Sequence, residues 1–373
     1  MEVEDKKNNQ AKNAFYQQRR FWFYIAFFFS VIILFISYLA FQYAINQHSN
    51  ESEDGFNVSS TKIATSTKKE YHLGCLIGSK LSLQNKCPVL YAVMVENHFD
   101  ARPLSGIAKA DMVFEFPVEG GITRFMAIFN SSSTVAKIGP VRSARPYYVE
   151  YARSLDAVYA HVGGSPEALN RINGLYNFKN LDEMANENTF WRDSRRYAPH
   201  NAYTSIKKIN QAYKNKKWHN DVKDVFWKFI DPEKTTTSTK KINDNTSVQA
   251  IKILYGGSYN VKWVYDLLQK KYIRYQANSK QYDQDQTLVE FKNIIIIYTN
   301  QKVLDKKGRL RITVNGNGKA IIISNGQQQI VSWHKKSGEF IYFLDEDGQE
   351  VKFNPGKTWL SFITLKNQKV IFE

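Results

Sequence analysis

At 373 residues and 43% hydrophobic content the chain is long enough for two folded units and has ample material for buried cores. Its formal net charge of +16 favours polyanionic partners such as anionic lipid or wall polymer, but the lysines are scattered rather than clustered, so abundance alone also accounts for it. With two cysteines and no His/Cys ligand spacing, no zinc module is expected, and P-loop and dinucleotide fingerprints are missing from the sequence.

Residues 1–20 are polar and basic, and read as a cytoplasmic tail. Phe21 to Ala44 then run for 24 residues without a charge, enough for a helix to cross a bilayer core. Basic residues precede the run, while Glu51, Glu53 and Asp54 follow it. The positive-inside bias therefore predicts a single-pass anchor with the N-terminus in the cytoplasm and the rest outside. The apolar run is longer than a signal-peptide core and lacks a small-x-small cleavage site, although a cleaved signal is the alternative. Residues 45–72 are polar and low in complexity, and read as a flexible linker. Cys75 and Cys87 are too far apart for a typical paired metal ligand. In an oxidising compartment they can close a loop worth roughly 2–3 kcal/mol, and otherwise they stand as two thiols.

Residues 73–230 predict a mixed α/β domain. Val89–Glu96, Asp111–Val118, Thr123–Phe129 and Asp156–Val162 are strand-length apolar runs. Glu119-Gly120-Gly121 predicts a tight turn needing positive φ. Pro146 opens a helix to about Leu155, and Ser165-Pro166-Glu167 opens another that ends near Gly174. The spacing of Ile206, Ile209, Ala212 and Tyr213 predicts an amphipathic helix over 205–216. Residues 231–247 read as a second linker. Residues 248–373 predict an all-β sandwich or partly open barrel, with Asn315-Gly316, Asn325-Gly326 and Asp347-Gly348 as turn signals. The expected class is thus α+β: an α/β domain, then an all-β domain, behind one transmembrane helix.

The chemistry-bearing residues crowd the polar corners of 89–165. Arg142 and Arg145 lie just before a helix start, where arginine forks and backbone N–H groups suit an anion. Arg124 follows the Gly-Gly turn, and Arg192, Arg195 and Arg196 precede Pro199, His200 and Asn201. If these segments converge they form an anion pocket; otherwise each arginine pairs with a nearby acid to hold the fold. Glu115 and Glu119, four apart, could serve a carboxylate-dyad wall hydrolase or transferase together with His161. His161 reads equally as a hydrogen-bonded structural residue. Ser165 after Gly163-Gly164 is not a nucleophile elbow. Trp263, Tyr265, Tyr272, Arg274, Trp333 and Trp359 either fill the sandwich core or offer an aromatic face to a protein partner. No cofactor and no metal are expected. Nucleic acid is disfavoured because the basic surface lies outside the cell.

The runs AVMVENHFDARPLSG, ADMVFEFPVEGGITRF, IGPVRSARPYYVEYA, DAVYAHVGGSPEAL and RDSRRYAPHNAYTS, with VKWVYD, YIRYQ and NPGKTW further on, resemble the YerB-like family of bacterial envelope proteins. The resemblance covers roughly Leu73 to the C-terminus in two parts. It implies a two-domain, extracytoplasmic protein of unestablished biochemical activity, usually held to the membrane as a lipoprotein; here the apolar helix replaces the lipidated cysteine. Its motif residues fall at Asn97, Arg102, Pro103, Gly106, Asp111, Glu119, Gly120, Gly121, Arg124, Gly139, Pro140, Arg142, Ser143, Arg145, His161, Gly163, Gly164, Arg192, Asp193, Pro199, His200 and Asn201. The resulting expectation is an Arg/His-lined cleft formed by Asn97, Arg102, Arg124, Arg142, Arg145, His161, Arg192, Arg196, His200 and Asn201. Its ligand would be an anionic group on peptidoglycan, a wall polymer or a wall-synthesis protein.

Overall fold

The computed structural model describes residues 35–39, 71–82, 85–223, 226–233, 247–364 and 368–373. The expected anchor, the first linker and the second linker fall largely outside these residues. Of the anchor, residues 35–39 are helical and exposed. Among the described residues no helix is long and apolar enough to cross a membrane. Tyr71 and His72, expected to end the first linker, instead begin a short strand, Tyr71–Gly74, paired with Ser79–Ser82.

Lys68 to Glu373 form one compact unit. Its centre is a ten-stranded sheet. The first half of the chain supplies β1 (Leu90–Val95), β2 (Met112–Pro117), β3 (Thr123–Asn130), β4 (Val158–His161) and β5 (Asn180–Asp182). After them come β6 (Ala250–Leu254), β7 (Val261–Asp266), β8 (Lys271–Gln276), β9 (Asn293–Thr299), β10 (Gly316–Ser324), β11 (Gln327–Lys335), β12 (Tyr342–Leu344), β13 (Thr358–Thr364) and β14 (Lys369–Phe372). The long sheet runs β12-β11-β10-β9-β13-β2-β3-β1-β4-β5. Strands from the two halves meet where β13 pairs with β2 in parallel, Leu360 opposite Phe114. The all-β domain expected over 248–373 is therefore not a closed sandwich or barrel of its own. Five of its strands extend the sheet of the first half, and β8-β7-β6-β14 form most of a second sheet.

The long apolar runs explain this arrangement. A strand whose residues are apolar at every position has two faces to bury. Leu90, Ala92 and Met94 of β1 pack in one core with Phe114, Phe116, Ile295 and Phe362. Tyr91, Val93 and Val95 pack in the other with Val113, Ile294, Ile251 and Trp263. Helix α1 (Pro146–Ser154) covers the first face with Tyr147, Tyr148 and Tyr151. The second sheet and α3 (Ile206–Asn215) contribute to the opposite core. Helix α2 (Pro166–Asn173) has the predicted Ser165 cap, whose hydroxyl accepts from the Ala168 N–H, and Ser205 caps α3 likewise. The aromatic residues of the second half settle into the interior: Trp263, Tyr272 and Trp359 are sealed, and Trp333 nearly so.

Asn325-Gly326 makes the predicted β10–β11 hairpin turn, with both φ positive. Asn315-Gly316 does not turn a hairpin, because Gly316 already begins β10. Cys75 and Cys87 are joined in a disulfide, Cα to Cα 5.6 Å.

Candidate functional site

Strands β9, β13, β2, β1, β4 and β5 all run in one direction, since β3 is antiparallel to both β2 and β1. Their C-terminal ends open on one edge of the sheet, the place where open α/β sheets commonly bind ligands. The polar corners of the sequence converge there. Residues 139–145 lie in extended form between the ends of β1 and β4: the Arg142 N–H donates to Met94 O, Val162 N–H to Arg142 O, and Ala144 N–H to Gly163 O. Residues 200–204 flank this strip, with Val141 N–H donating to Ala202 O at 2.7 Å. The turn after β2 brings Glu119 to the same edge. Gly120 and Gly121 both have positive φ there, at 73° and 71°, as the sequence required.

Three arginines gather at this edge. Arg145 grips Glu119 with both prongs of its guanidinium, Nε to Oε1 at 2.6 Å and Nη2 to Oε2 at 2.9 Å. Burial works against the Glu119 charge, but the Arg145 hydrogen bonds and charge outweigh it and hold the carboxyl below its usual range. Arg142 pairs with the buried Glu96 at 3.2 Å. Arg124 is only 5% exposed, and its hydrogen-bond partner is a backbone oxygen, Ser143 O at 2.9 Å. Its pKa is lowered, first by burial and next by the charge of Arg145, with Arg142 adding to the effect. Arg145 also precedes α1, whose N-terminus has no side-chain cap.

The other expected ligands are engaged with groups of the protein itself. Arg102 donates to Asn97 O and Ser258 O and lies over the Tyr259 ring. Burial, and then the charge of Arg274, bring its pKa down to about 10. Arg196 clamps Ala101 O and Pro103 O, and Arg192 is bidentate to Glu183 and also reaches Asn201. Arg195 pairs with Asp193. His161 is fully buried with both ring nitrogens engaged, Nδ1 with Gly163 O at 2.8 Å and Nε2 with Asn180 Oδ1 at 2.7 Å. Asn97 is equally sealed and donates to Thr123 Oγ1. His200 stays at the edge, its Nδ1 2.9 Å from Glu96 Oε2.

Glu115 does not join Glu119 in an accessible dyad. It points into the core on the face opposite Phe114 and has no solvent exposure. Arg274 Nη2 and Trp359 Nε1 donate to it at 2.9 Å each, and Thr123 Oγ1 donates at 2.8 Å. Arg274, itself sealed, lies 4.6 Å from the Trp359 ring centroid and donates to Gln276 and Gln281. Glu115 therefore ties β2 to β8, from the other half of the chain. Glu150 does the same for α1, accepting from Lys335 of β11 and from the Gly338 N–H.

Glu96 was the residue the sequence reading missed. It ends an apolar run and looks like an ordinary strand terminus, and only the fold places it between Arg142 and His200.

Together the shared sheet and its arginine-rich edge define an α+β protein built from two interlocked sequence segments. Residues 76–219 match the N-terminal domain, and residues 250–360 the C-terminal domain, of a family described as protein of unknown function (DUF3048), and the chain belongs to that family. It is 32% identical over 276 residues to "Putative lipoprotein YerB" of Bacillus subtilis (strain 168), covering 73% of this chain and 80% of the relative. The crystal structure of the YerB protein from Bacillus subtilis superposes with a TM-score of 0.69 at 29% identity, covering 79% of this chain and 98% of that one. The resemblance to the YerB-like family is thereby established over both segments.

Proposed function

We propose that this is a membrane-anchored, extracytoplasmic envelope protein that binds an anionic group at the edge formed by Arg124, Arg142 and Arg145. The observation that carries the reading is Arg124. A buried guanidinium that, among the described residues, is held by a carbonyl oxygen and no carboxylate, beside two other cations whose carboxylates are already committed, leaves positive charge that an anion would neutralise. At the start of α1, where Pro146 has no N–H and the Tyr148 and Val149 N–H groups donate to Arg145 O, the Tyr147 N–H and the helix dipole add to this positive edge. The Cys75–Cys87 disulfide fits an oxidising compartment, and the relative's lipoprotein name fits attachment to a membrane. In this chain the apolar run 21–44 would supply that attachment as a single span, with the folded unit outside. The hydrolase alternative is weakened by the sealed positions of Glu115 and His161.

The test is co-sedimentation of the full chain, in detergent, with isolated cell-wall sacculi. Binding that falls with salt is expected, and it is lost in Arg142→Gln and Arg145→Gln. Binding that persists in both variants would refute the arginine edge. Release of soluble wall fragments would indicate an enzyme instead.

A further inference from the structure

Beside the arginine edge, two segments about one hundred residues apart place His98, Asp100 and His200 together. One ligand atom from each lies within 4.8 Å of the others. We propose that these three side chains form a binding site for a divalent transition metal of the zinc type. A tetrahedral zinc with bonds of 2.0–2.1 Å holds its ligand atoms about 3.3 Å apart, so the cluster needs to contract by roughly 1.5 Å at most. His98 Nδ1 is already 3.4 Å from Asp100 Oδ2. Asp100 is 54% exposed and the His98 ring 28%, and a metal at Nδ1 would replace the hydrogen bond that His98 accepts there from the Asp100 N–H at 3.4 Å.

The second observation is the support behind His200. Its Nδ1 faces the carboxylate of Glu96 at 2.9 Å, and Glu96, 4% exposed, is fixed on its other oxygen by Arg142. A buried carboxylate on one imidazole nitrogen is the arrangement that orients a metal-bound histidine and raises its basicity, leaving Nε2 for the metal. The His98 ring stacks on His200, centroids 5.1 Å apart and planes 18° from parallel, so one ring has to turn for both in-plane lone pairs to meet a single metal. Asp100 and Glu96 supply the negative charge at the site, against Arg142 on Glu96 and the nearby Arg102 and Arg196, which hold Asn97 O and Ala101 O. Three protein ligands leave the fourth zinc position to water or to an exchangeable ligand. No HxH, HxxxH or HExxH spacing announces the site, because Pro199-His200 reaches His98 only across the fold.

The experiment uses the full chain in detergent, stripped with chelator, dialysed against zinc chloride and analysed for bound metal. About one zinc per chain is expected, falling to near zero in His98→Ala and His200→Ala, while His219→Ala retains it. Glu96→Gln should weaken zinc affinity 10–100-fold. If His200→Ala misfolds by circular dichroism, the more exposed His98 variant carries the test. Zinc retained undiminished by His98→Ala, or no zinc bound by the native chain, overturns the site. The two sites share Arg142 through Glu96, so Arg145→Gln separates them: it should abolish wall binding and leave zinc bound.

Discussion

Replacing Glu115 with Gln should destabilise the protein far more than a surface substitution would. Glu115 and Arg274 are each fully sealed from solvent and joined at 2.9 Å, one on β2 and the other on β8. Removing one charge of such a pair strands the other in the interior, which costs about 3–5 kcal/mol. Arg274 keeps Gln276 and Gln281 as acceptors, but Gln at position 115 offers one oxygen where Glu accepted on two, so its amide N–H2 faces a donor, Trp359 or Thr123, and a cost of at least about 3 kcal/mol applies. A loss of about 3 kcal/mol lowers the melting temperature by roughly 5 °C in a unit of this size. Urea unfolding followed by tryptophan fluorescence is well placed to measure it, because Trp359 touches both groups. Arg274→Met should cost a similar amount, and the double variant less than the sum of the two, since neither stranded charge remains. A loss below 1 kcal/mol for Glu115→Gln, or strict additivity in the double variant, would refute the ion pair as a tie between the halves.

Two further outcomes follow from single groups. Opening the Cys75–Cys87 disulfide by a Cys75→Ser/Cys87→Ser pair should cost about 3 kcal/mol on the loop-entropy model, read as a lower urea midpoint with a slope equal or slightly steeper as the unfolded chain expands. Asp283 is sealed, with one oxygen accepting the Ala108 N–H at 2.9 Å, and burial pushes its carboxyl up to about 7. Because the folded pKa lies above the unfolded one, native stability should be greatest below about pH 4 as far as this group is concerned and should fall as pH rises toward 7. Asp283→Asn should then be more stable than the native chain at pH 8, on the order of 1–3 kcal/mol, with the advantage gone at pH 4. Equal stability gaps at the two pH values would count against it.

Local signals in the sequence carried much of the architecture. The strands β1 to β4 lie within a residue or two of the apolar runs that mark them, and α1 to α3 begin at Pro146, at the residue after Ser165 and at the residue after Ser205. These features depend on neighbours in the chain: a proline at the first turn, a hydroxyl three residues before an amide, a glycine pair where φ must be positive. The chain also marked, in Asn97, Glu119, Arg124, Arg142, Arg145 and His200, the corners that hold its polar residues.

What the sequence could not decide was where each strand's second face is buried. Residues 231–247 look like a domain boundary, yet Thr358–Thr364 crosses back to pair with Met112–Pro117, because two apolar faces per strand require partners on both sides. That crossing determined the fate of the acids. Glu115 and Glu119 are four apart in the chain, but β2 ends between them, so one is carried into the core against Arg274 and the other turns out to meet Arg145. His98 and His200 meet within the first half instead, where residues 200–204 lie along the 139–145 strip. Side-chain pairing across such separations depends on register and strand direction, and these are set by long-range packing that no local pattern records.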